Sequence, residues 1–286
     1  MTKQEQLQFI EDNYPLYKNL NSNRRIRHKF FSSINTELQA YLLGFFAADG
    51  NINEKRKTLR IHLQKQDSDI VYLFKDCISP DARTFTVDEH KTIGRNGKEI
   101  IAHESFGVDI SSIEICKDLV ALGFGYNKTY TELHIPNIPK HLIKHFIRGY
   151  FDGDGCITVW LSVEKGKSDR VRGKFDICAK NASILNEFIK FFAEHDIKIN
   201  LNYLKRDDMY RMSTSSKKEL VKIFNLLYSD SNFYLSRKFN KLNHYVNTEV
   251  TQLIAEYRNA QEVNVNESNN PPKSAEHPTD EDENVC

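Results

Sequence analysis

Residues Ala40–Gly50 read AYLLGFFAADG, and residues His145–Gly155 read HFIRGYFDGDG, 105 positions later. Gly44 falls on Gly149, Phe46 on Phe151, Asp49 on Asp154 and Gly50 on Gly155, while pairs such as Tyr41/Phe146 and Leu42/Ile147 match in size. In the first copy Thr36 is placed to cap a helix, and Glu37 suits its positive end. Positions 38–48 are apolar almost all round, with Gln39 the exception. A helix without a polar face must be buried on most sides. Glycine inside a helix costs about 1 kcal/mol relative to alanine, so Gly44 needs a reason. The spacing supplies one: Gly44 with Ala48, and Gly149 with Gly153, are small residues four apart. Such pairs let two helix backbones approach closely. The two helices are therefore expected to cross through these four positions.

Both copies end in Asp followed by Gly. A helix C-terminus is its negative pole, so Asp49 and Asp154 at two adjacent ends are unfavourable without a cation. Hard divalent ions prefer carboxylate and carbonyl oxygens. Asp49 and Asp154, with the carbonyls of Ala48 and Gly153, form a candidate metal site. Gly50 and Gly155 are expected to take positive φ at the turn into the next strand.

The surroundings repeat as well. After Gly50 come Asn51–Asn53 and Thr58–Lys65, where Leu59, Ile61 and Leu63 alternate as in a strand. Asp67, Ser68 or Asp69 can then cap a helix. A hairpin is expected over Thr84–His90 and Ile100–Ile110, turning near Asn96-Gly97, followed by a helix over Ser112–Leu122. After Gly155 come Ile157–Val163 and Val171–Ala179, a helix capped by Asn181 or Ser183, strands over Lys198–Leu204 and Tyr210–Ser213, and a helix over Ser216–Leu227. The unit is helix, two strands, helix, two strands, helix, occurring twice. That predicts an α+β protein of two pseudo-symmetric αββαββα repeats with antiparallel sheets. The divisions are a polar lead-in over 1–33, a first repeat over 34–136, a second over 137–247 and an extension over 248–286.

Composition sets the rest. At 286 residues, 40% hydrophobic and 28% charged, the chain reads as an ordinary globular protein. It has no apolar run near the ~20 residues of a membrane span and no secretory apolar core near Met1. Its five cysteines form no C-x-x-C pair, so neither a zinc knuckle nor a redox motif is indicated. An intracellular location, cytoplasmic or organellar rather than secreted, is expected. The formal charge of +1 hides a division: residues 1–258 carry 39 bases and 32 acids, a net +7, and the remainder is acidic. A basic body fits a polyanionic partner. From about residue 259 the chain is rich in Asn, Glu, Pro and Ser, and is read as disordered. Arg24, Arg25, Arg27 and Lys29 form either a DNA-contacting arm or a solvated helix face.

Taken together, the two motifs resemble the signature helices of the LAGLIDADG homing endonucleases in their single-chain, two-motif form, over about residues 34–247. The resemblance implies saddle-shaped sheets lying along the major groove of double-stranded DNA, joined through the two packed signature helices. It implies a monomeric, site-specific endonuclease that hydrolyses phosphodiester bonds with two or three divalent ions, Mg²⁺ foremost, held by Asp49 and Asp154. The two cuts would fall close together across the minor groove. It also implies a basic residue near each scissile phosphate. Lys128, in the run 125–129, fits in repeat one, and Lys238 fits in repeat two, with Arg237 as an alternate. Two positions depart from the pattern. Ala47 stands where the second copy has Asp152, and Arg148 occupies a normally small or apolar place, at the rim of the helix pair or weakening it.

For DNA contact the candidates are Asn51, Asn53, Arg60, His62, Gln64 and Arg83 in repeat one, and Arg170, Arg172, Lys174, Lys205 and Arg211 in repeat two. Such side chains suit major-groove base edges, and they equally suit the polar face of a half-solvated sheet. Alternatives on the same fold are a maturase acting on intron RNA and a non-catalytic DNA-binding protein. The second is expected to have lost one or both motif acids. An intein is not expected, because splicing needs a nucleophile at residue 1 and a terminal Asn, where this sequence has Met1 and Asn284-Val285-Cys286.

Overall fold

The computed structural model describes residues 1–18, 24–94, 97–125, 132–166 and 168–269, the side chains of 261–269 excepted. A lead-in of α1 (Lys3–Asn13) and a short hairpin, β1 (Tyr17–Lys18) and β2 (Arg25–Ile26), precedes the first repeat. That repeat runs α2 (Glu37–Asp49), β3 (Asn51–Asn53), β4 (Thr58–Gln64), α3 (Ser68–Ile78), β5 (Thr84–Val87), β6 (His90–Ile93), β7 (Glu99–Ala102), β8 (Ser105–Ser111) and α4 (Ile113–Ala121). The second runs α5 (Ile143–Asp154), β9 (Gly155–Ser162), β10 (Arg170–Ala179), α6 (Ser183–Glu194), β11 (Asn200–Leu204), β12 (Met209–Thr214) and α7 (Lys217–Leu227). Two helices follow, α8 (Ser236–Asn247) and α9 (Val250–Asn269).

The strand orders are β3-β4-β8-β5 and β9-β10-β12-β11, each sheet antiparallel throughout. Written by repeat position, the two orders are the same. The fold is therefore α+β, in two pseudo-symmetric halves. Repeat one departs in one respect: among the described residues β6 and β7 pair only with each other, as a two-stranded ribbon inserted between β5 and β8. The single hairpin expected over Thr84–Ile110 is thus interrupted. The ribbon turns at Gly94–Lys98, where Gly97 takes φ 78°; Asn96 lies outside the described residues.

Strand parity sorts the side chains. Leu59, Ile61, Val108 and Ile110 are buried on one face of the first sheet, the face on which α3 and α4 pack. Phe175, Ile177 and Met212 do the same in the second, where Phe175 meets Phe151 of α5 and Phe192 of α6. The opposite faces carry the polar residues.

Three expectations about the flanks change. Asp67 does not cap α3 through its side chain; its carboxylate instead accepts from Arg237 at 2.7 and 2.8 Å. In the lead-in, Arg27 is buried and donates to the Cys77 carbonyl, while Arg25 is forked onto Asp81 at 2.8 and 2.9 Å. Those two arginines fasten the lead-in to α3 and the residues after it rather than forming a solvated helix face. Finally, α9 runs from Val250 to Asn269, past the position, about residue 259, from which disorder was expected. Its docking explains the helix: Leu253 is buried, Tyr257 donates to the Val159 carbonyl and Arg258 pairs with Asp169. Among the described residues no helix is long and apolar enough to cross a membrane.

Candidate active cleft and sheet face

The site begins with the crossing of α2 and α5. A Cβ built on Gly44 would stand 1.9 Å from the Phe146 carbonyl oxygen, and one on Gly149 would stand 2.0 Å from the Tyr41 carbonyl oxygen. Tyr41 and Phe146 occupy equivalent positions in the two copies, so the contact is reciprocal. Thr36 caps α2 by accepting from the Gln39 amide at 3.1 Å. Residues Glu37–Ala47 are buried throughout, as a helix with no polar face requires.

The same crossing brings the helix tips together. A Cβ on Gly153 would lie 2.4 Å from the Ala48 Cβ and 3.0 Å from the Asp49 Oδ2, so the Asp49 carboxylate rests beside the last turn of α5. Tyr150 registers both acids. Its phenol pKa is pushed well above the usual value by burial first, then by the charges of Asp154 and Asp49, and by its hydrogen bond to Asp154. Asp49 is exposed and Asp154 half-buried. Both line a cleft of about 800 Å³ together with Gln64, Asp152, Arg237 and Lys241.

Gly50 and Gly155 do not take positive φ; their values are −71° and −84°. The glycines are needed for closeness instead. A Cβ at Gly50 would meet the Phe46 ring at 2.0 Å, and one at Gly155 would meet the Phe151 ring at 2.1 Å.

Arg148 is neither at a rim nor a defect in the packing. It is fully buried, and its guanidinium donates at 2.8 Å to the Phe233 and Leu227 carbonyls, to His145 Nδ1 and to Glu37 Oε1. Glu37 also accepts from Gln6, from the Asn232 side chain and from the Asn232 and Phe233 amides. The arginine that breaks the motif's apolar pattern thus ties the N-terminal end of α2 to α5 and to the 227–235 segment. Asp152 plays a parallel part further along. It is buried and accepts from Tyr41 at 2.9 Å, Tyr228 at 2.6 Å and the Leu235 amide at 2.7 Å. Ala47, its counterpart in α2, is a buried core residue.

Lys238 lines the same cleft as Asp49 and Asp154, with its ammonium turned onto the end of α5. Its ammonium is buried and donates to the carbonyls of Phe151, Asp152 and Gly153 at 2.9, 2.8 and 3.0 Å, and to that of Gly155. A cation thus already occupies the negative end of α5, and the Gly153 carbonyl named as a metal ligand is one of its acceptors. Burial lowers the ammonium pKa, against the opposing pull of Asp152, Asp49 and Asp154. Arg237, the alternate, is forked onto Asp67. Lys128 lies outside the described residues.

Of the candidate DNA-contacting residues, Asn51, Arg60, His62 and Gln64 share the outer face of the first sheet. There Asn53 accepts from the Arg56 amide, and Arg83 is exposed just before β5. Arg170, Arg172, Lys174 and Arg211 share the outer face of the second sheet, while Lys205 is exposed in the turn after β11. Each face also holds an acid that the sequence reading passed over: Asp109 beside Arg60, and buried Asp176 between Lys174 at 3.0 Å and Arg211 at 3.8 Å. Strand pairing, which one sequence does not reveal, brings Asp109 to Arg60 and Arg211 near Asp176, whereas Lys174 lies two residues from Asp176 on β10 itself.

No protein-family model and no curated protein matches the sequence. Among solved structures, the meganuclease I-SmaMI bound to uncleaveable DNA is 11% identical, with a TM-score of 0.49, covering 80% of this chain and 97% of that one. The LAGLIDADG meganuclease I-CpaMI bound to uncleaved DNA is 12% identical, with a TM-score of 0.49, over 82% and 98%. Mesophilic variants of the homing endonuclease I-DmoI are 12% identical, with a TM-score of 0.43, over 73% and 97%. The chain is thus similar to solved structures of LAGLIDADG homing endonucleases.

Proposed function

We propose that this chain is a site-specific homing endonuclease of the LAGLIDADG kind, which hydrolyses both strands of duplex DNA with divalent ions at Asp49 and Asp154. The reading rests above all on the reciprocal glycine contacts of α2 and α5, which set Asp49 against Gly153 at the mouth of one cleft.

The donor set fits hard ions. Two carboxylates, Asp49 and Asp154, stand at the negative ends of two helices and line one cleft. Mg²⁺ is held in this open way, by one or two carboxylates with water and phosphate oxygens completing its shell. Two or three such ions, when bound, neutralise phosphate charge and acidify the attacking water. The chain's own residues do the rest. Tyr150 donates to Asp154 and fixes its carboxylate. Lys238 screens the end of α5 and is a positioning residue. Lys128 is the basic residue proposed for the first scissile phosphate. Asn51, Asn53, Arg60, His62, Gln64, Arg83, Arg170, Arg172, Lys174, Lys205 and Arg211 face or flank the duplex. Because one chain carries both motifs, the working unit is a monomer.

The test is cleavage of a library of long duplex sites in Mg²⁺ by wild type and by Asp154→Asn. Loss of cutting with DNA binding retained is expected; equal cutting by both proteins overturns the assignment.

A further inference from the structure

On the outer face of the first sheet one arginine is held by both an acid and an aromatic ring. Arg60 on β4 lies directly across from Asp109 on β8. Its Nε donates to Asp109 Oδ1 and its Nη2 to Oδ2, both at 2.7 Å. The guanidinium carbon stands 5.3 Å from the centroid of the Phe85 ring, and His62 meets that ring from 5.2 Å. Phe85 lies across from Gly107. A Cβ there would come within 2.5 Å of the Phe85 Cζ, so the missing side chain is what admits the ring. A phenylalanine on the polar face of a sheet, seated over a glycine and flanked by Arg and His, gives the guanidinium a platform.

We infer that Arg60, braced by Asp109 and Phe85, reads a single guanine close to the point of cleavage. The inference rests on the duplex-DNA reading proposed above and assigns one base preference to it. A guanidinium has five N–H donors; two are spent on Asp109, and three remain on the edge turned away from it. Guanine shows two acceptors, O6 and N7, in the major groove, a pair that an arginine fork matches. Adenine shows a donor at the place of O6, so the same fork rejects it. The bracing also argues against a phosphate clamp. Asp109 cancels the charge that a phosphate contact uses and would itself be repelled, while the directional donors that a base edge uses are untouched. The rotamer freedom of a long side chain is already given up in the unbound protein. Strand pairing fixes the position: Arg60 lies across from Asn51, two residues after Asp49.

The experiment is selection of binding sites from a randomised duplex library by the full chain in Ca²⁺, for wild type, Arg60→Gln and Asp109→Asn. Affinity for the selected site is then titrated against salt. Wild type is expected to select a G·C pair near the centre. Arg60→Gln should lose that preference by roughly tenfold or more with an unchanged salt slope. Asp109→Asn, close in shape, should loosen the same position by less. A fall of about one unit in salt slope with the base preference intact would mark a phosphate contact and overturn the inference. So would an identical selected sequence for all three proteins, while leaving the endonuclease reading standing. Failure of wild type to select any duplex would remove both.

Discussion

Gly149 touches the carbonyl oxygen of Tyr41 so closely that a Cβ on it would stand 2.0 Å away, and Gly44 repeats the contact on Phe146. Neither obstacle is a side chain that can swing aside; both are helix backbone. Gly149→Ala must therefore push the helices apart and disturb every contact in the seam. Overpacking of this kind costs about 1–3 kcal/mol, and a backbone obstacle places it at the upper end. Gly125 has nothing within 4 Å of a built Cβ and no positive φ, so Gly125→Ala should stay within about 0.5 kcal/mol of wild type. Thermal unfolding of the two variants checks the difference; equal melting temperatures would refute the close crossing.

That crossing was legible in the sequence because glycine four residues from another small residue, inside an otherwise apolar helix, serves little purpose except close approach of a second backbone. The strand alternation of Leu59, Ile61 and Leu63 was legible for the same kind of reason: period two fixes which face is buried. What the sequence hid were relations between distant residues. Arg148 looked like a flaw in an apolar motif, because all its acceptors except His145, namely Glu37 and the Leu227 and Phe233 carbonyls, lie about 80 to 110 positions away. Nor does anything local to Lys238 show that its ammonium is also held by the carbonyls that end α5. Gly50 and Gly155 misled through habit: a glycine after a helix suggests positive φ, whereas here an aromatic ring four residues earlier needs the space.

The buried group around Arg148 makes the fold acid-sensitive. Burial first, and then the neighbouring charge of Arg148, hold His145 down to about 3 from an ordinary 6.5. In the unfolded chain His145 takes up its proton near pH 6.5, whereas the folded protein refuses it until about 3. Stability therefore falls as pH drops through that window. Glu37 adds a second, lower step. Burial alone would raise its pKa, but the Arg148 charge and the hydrogen bonds from Asn232 and Gln6 leave it below 4.5. Its contribution is present above 4.5 and is lost as pH falls through the depressed folded value. Urea unfolding at pH 7 and pH 5 should show wild type weakening and His145→Gln weakening less; equal losses would contradict a buried neutral His145. Arg148→Met, which strands Glu37 without its charge partner, should cost about 3–5 kcal/mol at pH 7.

Lys238→Met separates a positioning role from a purely chemical one. Removing the ammonium leaves the Phe151, Asp152, Gly153 and Gly155 carbonyls at the buried end of α5 without their shared donor. Hydrogen bonds to a charged group are worth about 1.5–3 kcal/mol, so the melting temperature should fall along with cleavage. A residue that only polarised solvent would lower cleavage and leave melting unchanged, and that result would return Lys238 to the chemistry.

The extension divides at a definite point. Leu253, Tyr257 and Arg258 make the contacts of α9 with the second sheet: Leu253 is 1% exposed, Tyr257 bonds to Val159 and Arg258 pairs with Asp169. A chain ending after Arg258 keeps all three, so it should melt and cut as the full chain does. A chain ending before Val250 loses them, and with them the packing of α9 against β9 and β10. Loss of one buried leucine side chain already costs about 2–5 kcal/mol, so this second truncation should melt well below the first. If both truncations melted alike, α9 would be no part of the folded body, and the helix beyond Val250 would have no structural role in the second repeat.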